Sequence, residues 1–136
     1  MKKIKVLTAI GNENLNNILK EQDEFEILEN DIFYKEGILE FLEKNNNVDI
    51  LILYEKLSGE INIINLINKI KIINNEINIF FILENKNEEF EKLLKKVNIK
   101  NIFYINEINI NDFIEKIKNT KTVSYTHLTL PTRSAV

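Results

Sequence analysis

Two stretches of this chain, VDILILY at 48–54 and INIFFIL at 77–83, are apolar almost without interruption. A strand that is apolar at nearly every position has to be buried on both faces, which happens when a parallel sheet is covered by helices on each side. The segments that follow them change period. In INIINLINKIKIIN (61–74), Ile63, Leu66, Ile67, Ile70 and Ile73 recur at helical spacing. In NEEFEKLLKKVN (87–98), Phe90, Leu93, Leu94 and Val97 form one stripe.

The same alternation runs through the rest of the body. KIKVLTAI (3–10) reads as a strand, and NENLNNILKEQ (12–22) as a helix with Leu15, Ile18 and Leu19 on its inner face. FEIL (25–28) is short and alternating, with Phe25 and Ile27 on one side, as suits an edge strand. YKEGILEFLEKN (34–45) places Tyr34, Ile38, Phe41 and Leu42 on a helical face. NIFYI (101–105) is a short apolar strand, and INDFIEKIKN (110–119) aligns Ile110, Phe113, Ile114 and Ile117. Five strand–helix repeats predict a doubly wound α/β domain over residues 1–122. Its sheet is five-stranded, parallel and flavodoxin-like, in the order 2-1-3-4-5.

The last fourteen residues, VSYTHLTLPTRSAV, break the composition. Pro131, His127 and Arg133 are the chain's only proline, histidine and arginine, while the Ile, Asn and Lys that dominate the body stop at Thr122. The body reads as the product of an AT-rich genome. The wording of the tail resembles a translated sequencing adapter, so residues 123–136 are expected to be foreign, with the natural protein continuing past Thr122.

Charge and cysteine narrow the function. The formal net charge is −3, with lysines and carboxylates interspersed, so no basic patch is offered to the phosphates of a nucleic acid. No cysteine is present, which removes disulfides and thiolate chemistry and fits a cytoplasmic protein. No run approaches the ~20 apolar residues of a membrane span.

In a sheet of this order, ligands bind beyond the carboxyl ends of strands 1 and 3. After strand 1 comes TAIGNEN, in which a lone Gly11 is neither G-x-G-x-x-G nor a P-loop, and Asn12 reads as a helix N-cap. After strand 3 comes VDILILYEKLSGE. This stretch resembles the third strand of response-regulator receiver domains, an Asp, four apolar residues, an Asp and a turn ending in Pro-Gly. Asp49, Ile50–Leu53 and Gly59 match in register. The residues of the chemistry do not. The phospho-acceptor position falls on Tyr54, and the acidic pair that would hold Mg²⁺ falls on Ile10 and Gly11. The expected lysine falls near Ile105–Asn106, and the expected hydroxyl near Leu83–Glu84. Phosphoryl transfer to a receiver needs a carboxylate and a divalent ion. Asp31, Glu55 and Glu60 follow strands 2 and 3 but show no ligand spacing, and read as solvated loop carboxylates. Neither a metal nor a cofactor is expected, and Tyr54 is expected to plug the mouth of the sheet.

The resemblance implies a pseudo-receiver. Across residues 3–119 the wording is similar to the N-terminal modules of CpaE/TadZ-type proteins, MinD/ParA-like ATPases of pilus assembly and secretion. It implies a non-catalytic interaction and localisation module whose P-loop domain lies beyond the sequence in hand. Receivers commonly pair through helix 4, strand 5 and helix 5, which draws on Lys92, Lys95, Lys96, Phe103, Tyr104, Glu107 and Asp112 for a protein partner or a homodimer. The alternatives are a stand-alone regulatory domain, or a small-molecule-binding flavodoxin-like protein. For the latter, three glycines in the whole chain leave little room for close backbone approach to phosphates.

Overall fold

A computed structural model describes residues 3–28, 31–45 and 47–120. Strands β1 (Ile4–Ala9), β2 (Phe25–Ile27), β3 (Ile50–Tyr54), β4 (Asn78–Leu83) and β5 (Asn101–Tyr104) alternate with α1 (Glu13–Lys20), α2 (Lys35–Lys44), α3 (Ile63–Ile73) and α4 (Glu88–Lys96). A further helix, α5, covers 110–120. The strands form one sheet in the order β2-β1-β3-β4-β5, and every neighbouring pair is parallel. This is the flavodoxin-like, receiver-type architecture expected from the sequence.

The unbroken apolar runs resolve into two cores. On one face Leu7, Leu51, Leu53, Phe81 and Leu83 pack with Ile38 and Leu42 of α2, Leu66, Ile67 and Ile70 of α3, and Leu94 of α4. On the other, Val6, Ile50, Ile52, Phe80 and Ile82 pack with Leu15 and Leu19 of α1 and with Phe113, Ile114 and Ile117 of α5. Successive strand residues point to opposite faces, so a strand sandwiched between helices must be apolar at both parities.

Asparagine starts four of the five helices. The Oδ1 of Asn12 accepts from the amide of Leu15 at 3.0 Å, that of Asn62 from Ile64 at 2.8 Å, that of Asn87 from Phe90 at 3.0 Å and that of Asn109 from Asp112 at 3.1 Å. Each such cap stabilises a helix start by about 1 kcal/mol over alanine. Helix α2 begins differently. Tyr34 stands before it in extended conformation without a side-chain cap, and the Lys35 amide donates instead to the Ser58 carbonyl at 2.7 Å.

Two expected helix faces differ from the structure. Tyr34 lies outside α2 and is 46% exposed, with its ring laid against Gly37. The α4 stripe is narrower than its spacing suggests. Leu94 is fully buried, Phe90 and Val97 are half-buried, and Leu93 is 45% exposed. The cause is position: α4 covers the flank of a sheet whose edge strand β5 is itself half-buried throughout, so only one row of the helix meets the core. Among the described residues no helix is long and apolar enough to cross a membrane. The reading of 123–136 as a foreign tail falls outside the described residues.

Candidate functional site

The carboxyl ends of β1 and β3 meet beside the switch in strand order, and four loops converge there. Strand β1 runs into Ile10, which is 2% exposed and belongs to the α1–α5 core. Gly11 follows with φ +70°, a left-handed turn that delivers the chain to the Asn12 cap. The turn points two successive amides at one carboxylate. Ile10 N donates to Asp31 Oδ1 at 2.9 Å and Gly11 N to Asp31 Oδ2 at 2.6 Å. Successive amides around a left-handed residue form an anion-binding nest, and here an internal carboxylate from the β2–α2 loop fills it. A bond from Ile32 N to the Thr8 carbonyl at 2.9 Å holds that loop against β1.

At the end of β3 stands Tyr54, half-buried against the α1–α5 core. Its hydroxyl donates to Glu84 Oε2 at 3.2 Å. Burial raises the phenol's pKa above its usual value, and the hydrogen bond to Glu84 and the negative charges of Glu84 and Glu55 push it the same way. At neutral pH the group is therefore a protonated donor. Glu55 Oε1 accepts from Glu84 N at 3.0 Å, and Lys56 Nζ lies 3.9 Å from Glu84 Oε1. The last pair is exposed and contributes little to stability.

The β3–α3 loop is tied down next to this cluster. Glu36 Oε2 accepts from the amides of Glu60 and Ile61, both at 3.1 Å. A bond to its own backbone amide, and after it those to Ile61 and Glu60, hold the Glu36 carboxyl below the usual range. Gly59 sits where the two segments cross, with φ +129°. A Cβ there would lie 2.6 Å from Glu36 Oε1 and 3.0 Å from Lys35 N.

The three carboxylates considered as metal ligands therefore have separate placements. Asp31 holds the β1 turn, Glu55 holds the Glu84 amide, and Glu60 is exposed. Among the described residues no three His, Cys, Asp or Glu side chains gather as an ion site. At the position of the receiver lysine, Ile105 is half-buried against the α1–α5 core and Asn106 is exposed.

The proposed pairing face is split by the pleat of β5. Phe103 points to the α1–α5 side, stacked on Phe80 at 5.9 Å and edge-on to Phe113 at 4.9 Å. Tyr104 points to the α2–α4 side, where its hydroxyl is buried without a partner among the described residues. The two rings thus do not form one patch. Lys92, Lys95 and Lys96 on α4, Glu107 in the β5–α5 turn and Asp112 on α5 are exposed, and Leu93 joins the lysines at the surface. The roles of Asp31 and Glu84 escape a sequence reading, because each acts on a partner at least 20 residues away.

No family model matches the chain, and no curated protein matches it. Solved structures do. The chain is similar to a response-regulator receiver domain protein from Clostridium thermocellum, at 19% identity and a TM-score of 0.74, covering 90% of this chain and 98% of that one. It is similar to a DNA-binding response regulator of the LuxR family from Staphylococcus aureus, at 16% identity and a TM-score of 0.73, covering 85% and 97%. A response regulator from Thermotoga maritima gives 13% identity and a TM-score of 0.65, covering 86% and 96%. These likenesses establish the receiver fold and, at such identities, the fold alone.

Proposed function

We propose that this domain is a pseudo-receiver, a protein-interaction and localisation module that keeps the receiver fold without its phosphoryl chemistry. The observation that carries the reading is the state of the strand ends. Where a receiver presents an acceptor carboxylate, this chain places a tyrosine bonded to Glu84. Where a receiver presents its acidic pair, it places buried Ile10 and a glycine turn whose amides are taken by Asp31. A phosphoryl group would meet no carboxylate at position 54 and no acidic pair at positions 10 and 11 to hold a charge-offsetting cation.

Signalling in such a domain rests on surfaces. The exposed residues of α4 and of the β5–α5 turn, Lys92, Leu93, Lys96 and Glu107, are our choice for a contact with a protein partner or a second copy in the cytoplasm. The similarity of the wording to CpaE/TadZ-type modules supports a place before a MinD/ParA-like ATPase domain. Beryllofluoride with Mg²⁺, a mimic of an acyl phosphate, tests the first part: the backbone amide spectrum should stay unchanged, and localised shifts around Tyr54 would contradict it. The intact gene read past codon 122 tests the second. A P-loop lysine motif supports the ATPase context, and an immediate natural stop codon removes it.

A further inference from the structure

At the opposite end of the sheet, the amino ends of β4 and β5 border an open cavity of about 470 Å³ whose walls include Lys71, Asn75, Glu76, Asn78, Lys100 and Asn101. We propose that this cavity binds a compact anion of the phosphate type, either the free ion or the phosphoryl end of a small metabolite. The site is separate from the carboxyl ends of β1 and β3, so it stands or falls independently of the pseudo-receiver proposal.

Its chemistry is built from three elements. Lys71 reaches from the end of α3 to the carboxyl end of α4, donating to the Val97 carbonyl at 2.8 Å and the Asn98 carbonyl at 3.3 Å. An ammonium has three donors, so the two carbonyls leave one of them unused. Lys100, at the foot of β5, is exposed and has no hydrogen-bond or ion-pair partner among the described residues. Both lysines line the cavity, and they lie close enough to repel one another. Burial, and after it the repulsion of Lys100, lowers the Lys71 pKa, and a bound anion would relieve that repulsion. Asn75, Asn78 and Asn101 also line the cavity, and a carboxamide can add neutral donors. Glu76 is the single carboxylate among the lining residues, so the walls keep a positive balance. Two lysines suit one phosphoryl group, bound by point charges. A nucleic acid backbone needs a longer row of cations.

Amide spectra of the full chain, titrated with inorganic phosphate and separately with glycerol phosphate at ionic strength matched by chloride, test the site. Saturable shifts confined to Asn78, Asn98, Lys100 and Asn101 are expected, with affinity about tenfold weaker in Lys100→Gln, the effect of losing one charged hydrogen bond. Lys100 is exposed and bonds to none of the described residues, so this variant leaves the fold intact. Saturation by both probes identifies the phosphate group itself as the ligand chemistry, and saturation by glycerol phosphate alone identifies a phosphorylated metabolite. Absence of saturation by either, shifts spread over the surface lysines, or unchanged affinity in Lys100→Gln would overturn the proposal.

Discussion

The Tyr54 hydroxyl and the Glu84 carboxylate share a 3.2 Å hydrogen bond that links the carboxyl ends of β3 and β4. The tyrosine ring lies half-buried against the α1–α5 core, and its hydroxyl is engaged by Glu84. Tyr54→Phe should therefore have a measurable cost, at most about 1 kcal/mol for a partly solvated bond. Tyr54→Ala should cost about 2 kcal/mol, because the half-buried ring is lost as well. Urea denaturation of the three proteins checks the order. Equal costs for the two variants would mean that the hydroxyl, and not the ring, does the holding.

The same group sets an alkaline limit. A phenol whose folded pKa is raised contributes stability below its unfolded value, near 10.0, and loses it as pH rises through the higher folded value. Wild type should thus lose stability faster than Tyr54→Phe above that point. Parallel stability curves for the two proteins would contradict the assignment.

Asp31 is expected to act as a clasp and not as a ligand for an ion. Asp31→Ala removes both acceptors of the Ile10 and Gly11 amides and should destabilise by about 1–2 kcal/mol. Those two amides should also exchange faster with solvent than in wild type. Asp31→Asn, which keeps one carbonyl acceptor, should fall between them. Unchanged exchange at Gly11 in Asp31→Ala would show that the clasp is not formed in solution.

The two left-handed glycines should differ under substitution. At Gly11 an added Cβ meets nothing within 4 Å, so Gly11→Ala should cost only the backbone strain, about 1 kcal/mol. At Gly59 the added atom collides with Glu36 and the Lys35 amide, so Gly59→Ala should cost about 2 kcal/mol or more. Thermal or urea unfolding distinguishes them, and a larger loss at Gly11 would reverse the account of the β3–α3 crossing.

The sheet was legible because burial on both faces leaves a mark on every residue of a central strand, as in Ile50–Leu53 and Phe80–Leu83. Asn12 as a cap was legible because capping is local. Asp31 was not, since a carboxylate after strand 2 carries no mark of the strand 1 amides it will meet. The receiver resemblance puts Phe103 and Tyr104 of strand 5 on one pairing face, although adjacent strand residues face opposite sides of a sheet. Leu93 fits a helical stripe by spacing, and its exposure follows from how little sheet lies beneath α4, which spacing does not encode.

We propose a receiver fold that carries no phosphoryl chemistry. Intact-mass measurement after incubation with a small phosphodonor and Mg²⁺ tests it most directly, on the wild type and on Tyr54→Asp. No adduct is expected on either, because restoring a carboxylate at position 54 leaves Ile10 and the Asp31-clasped Gly11 where the metal-holding pair would stand. A stoichiometric adduct on wild-type Asp49 or Glu55, or on the new carboxylate of Tyr54→Asp, would contradict it.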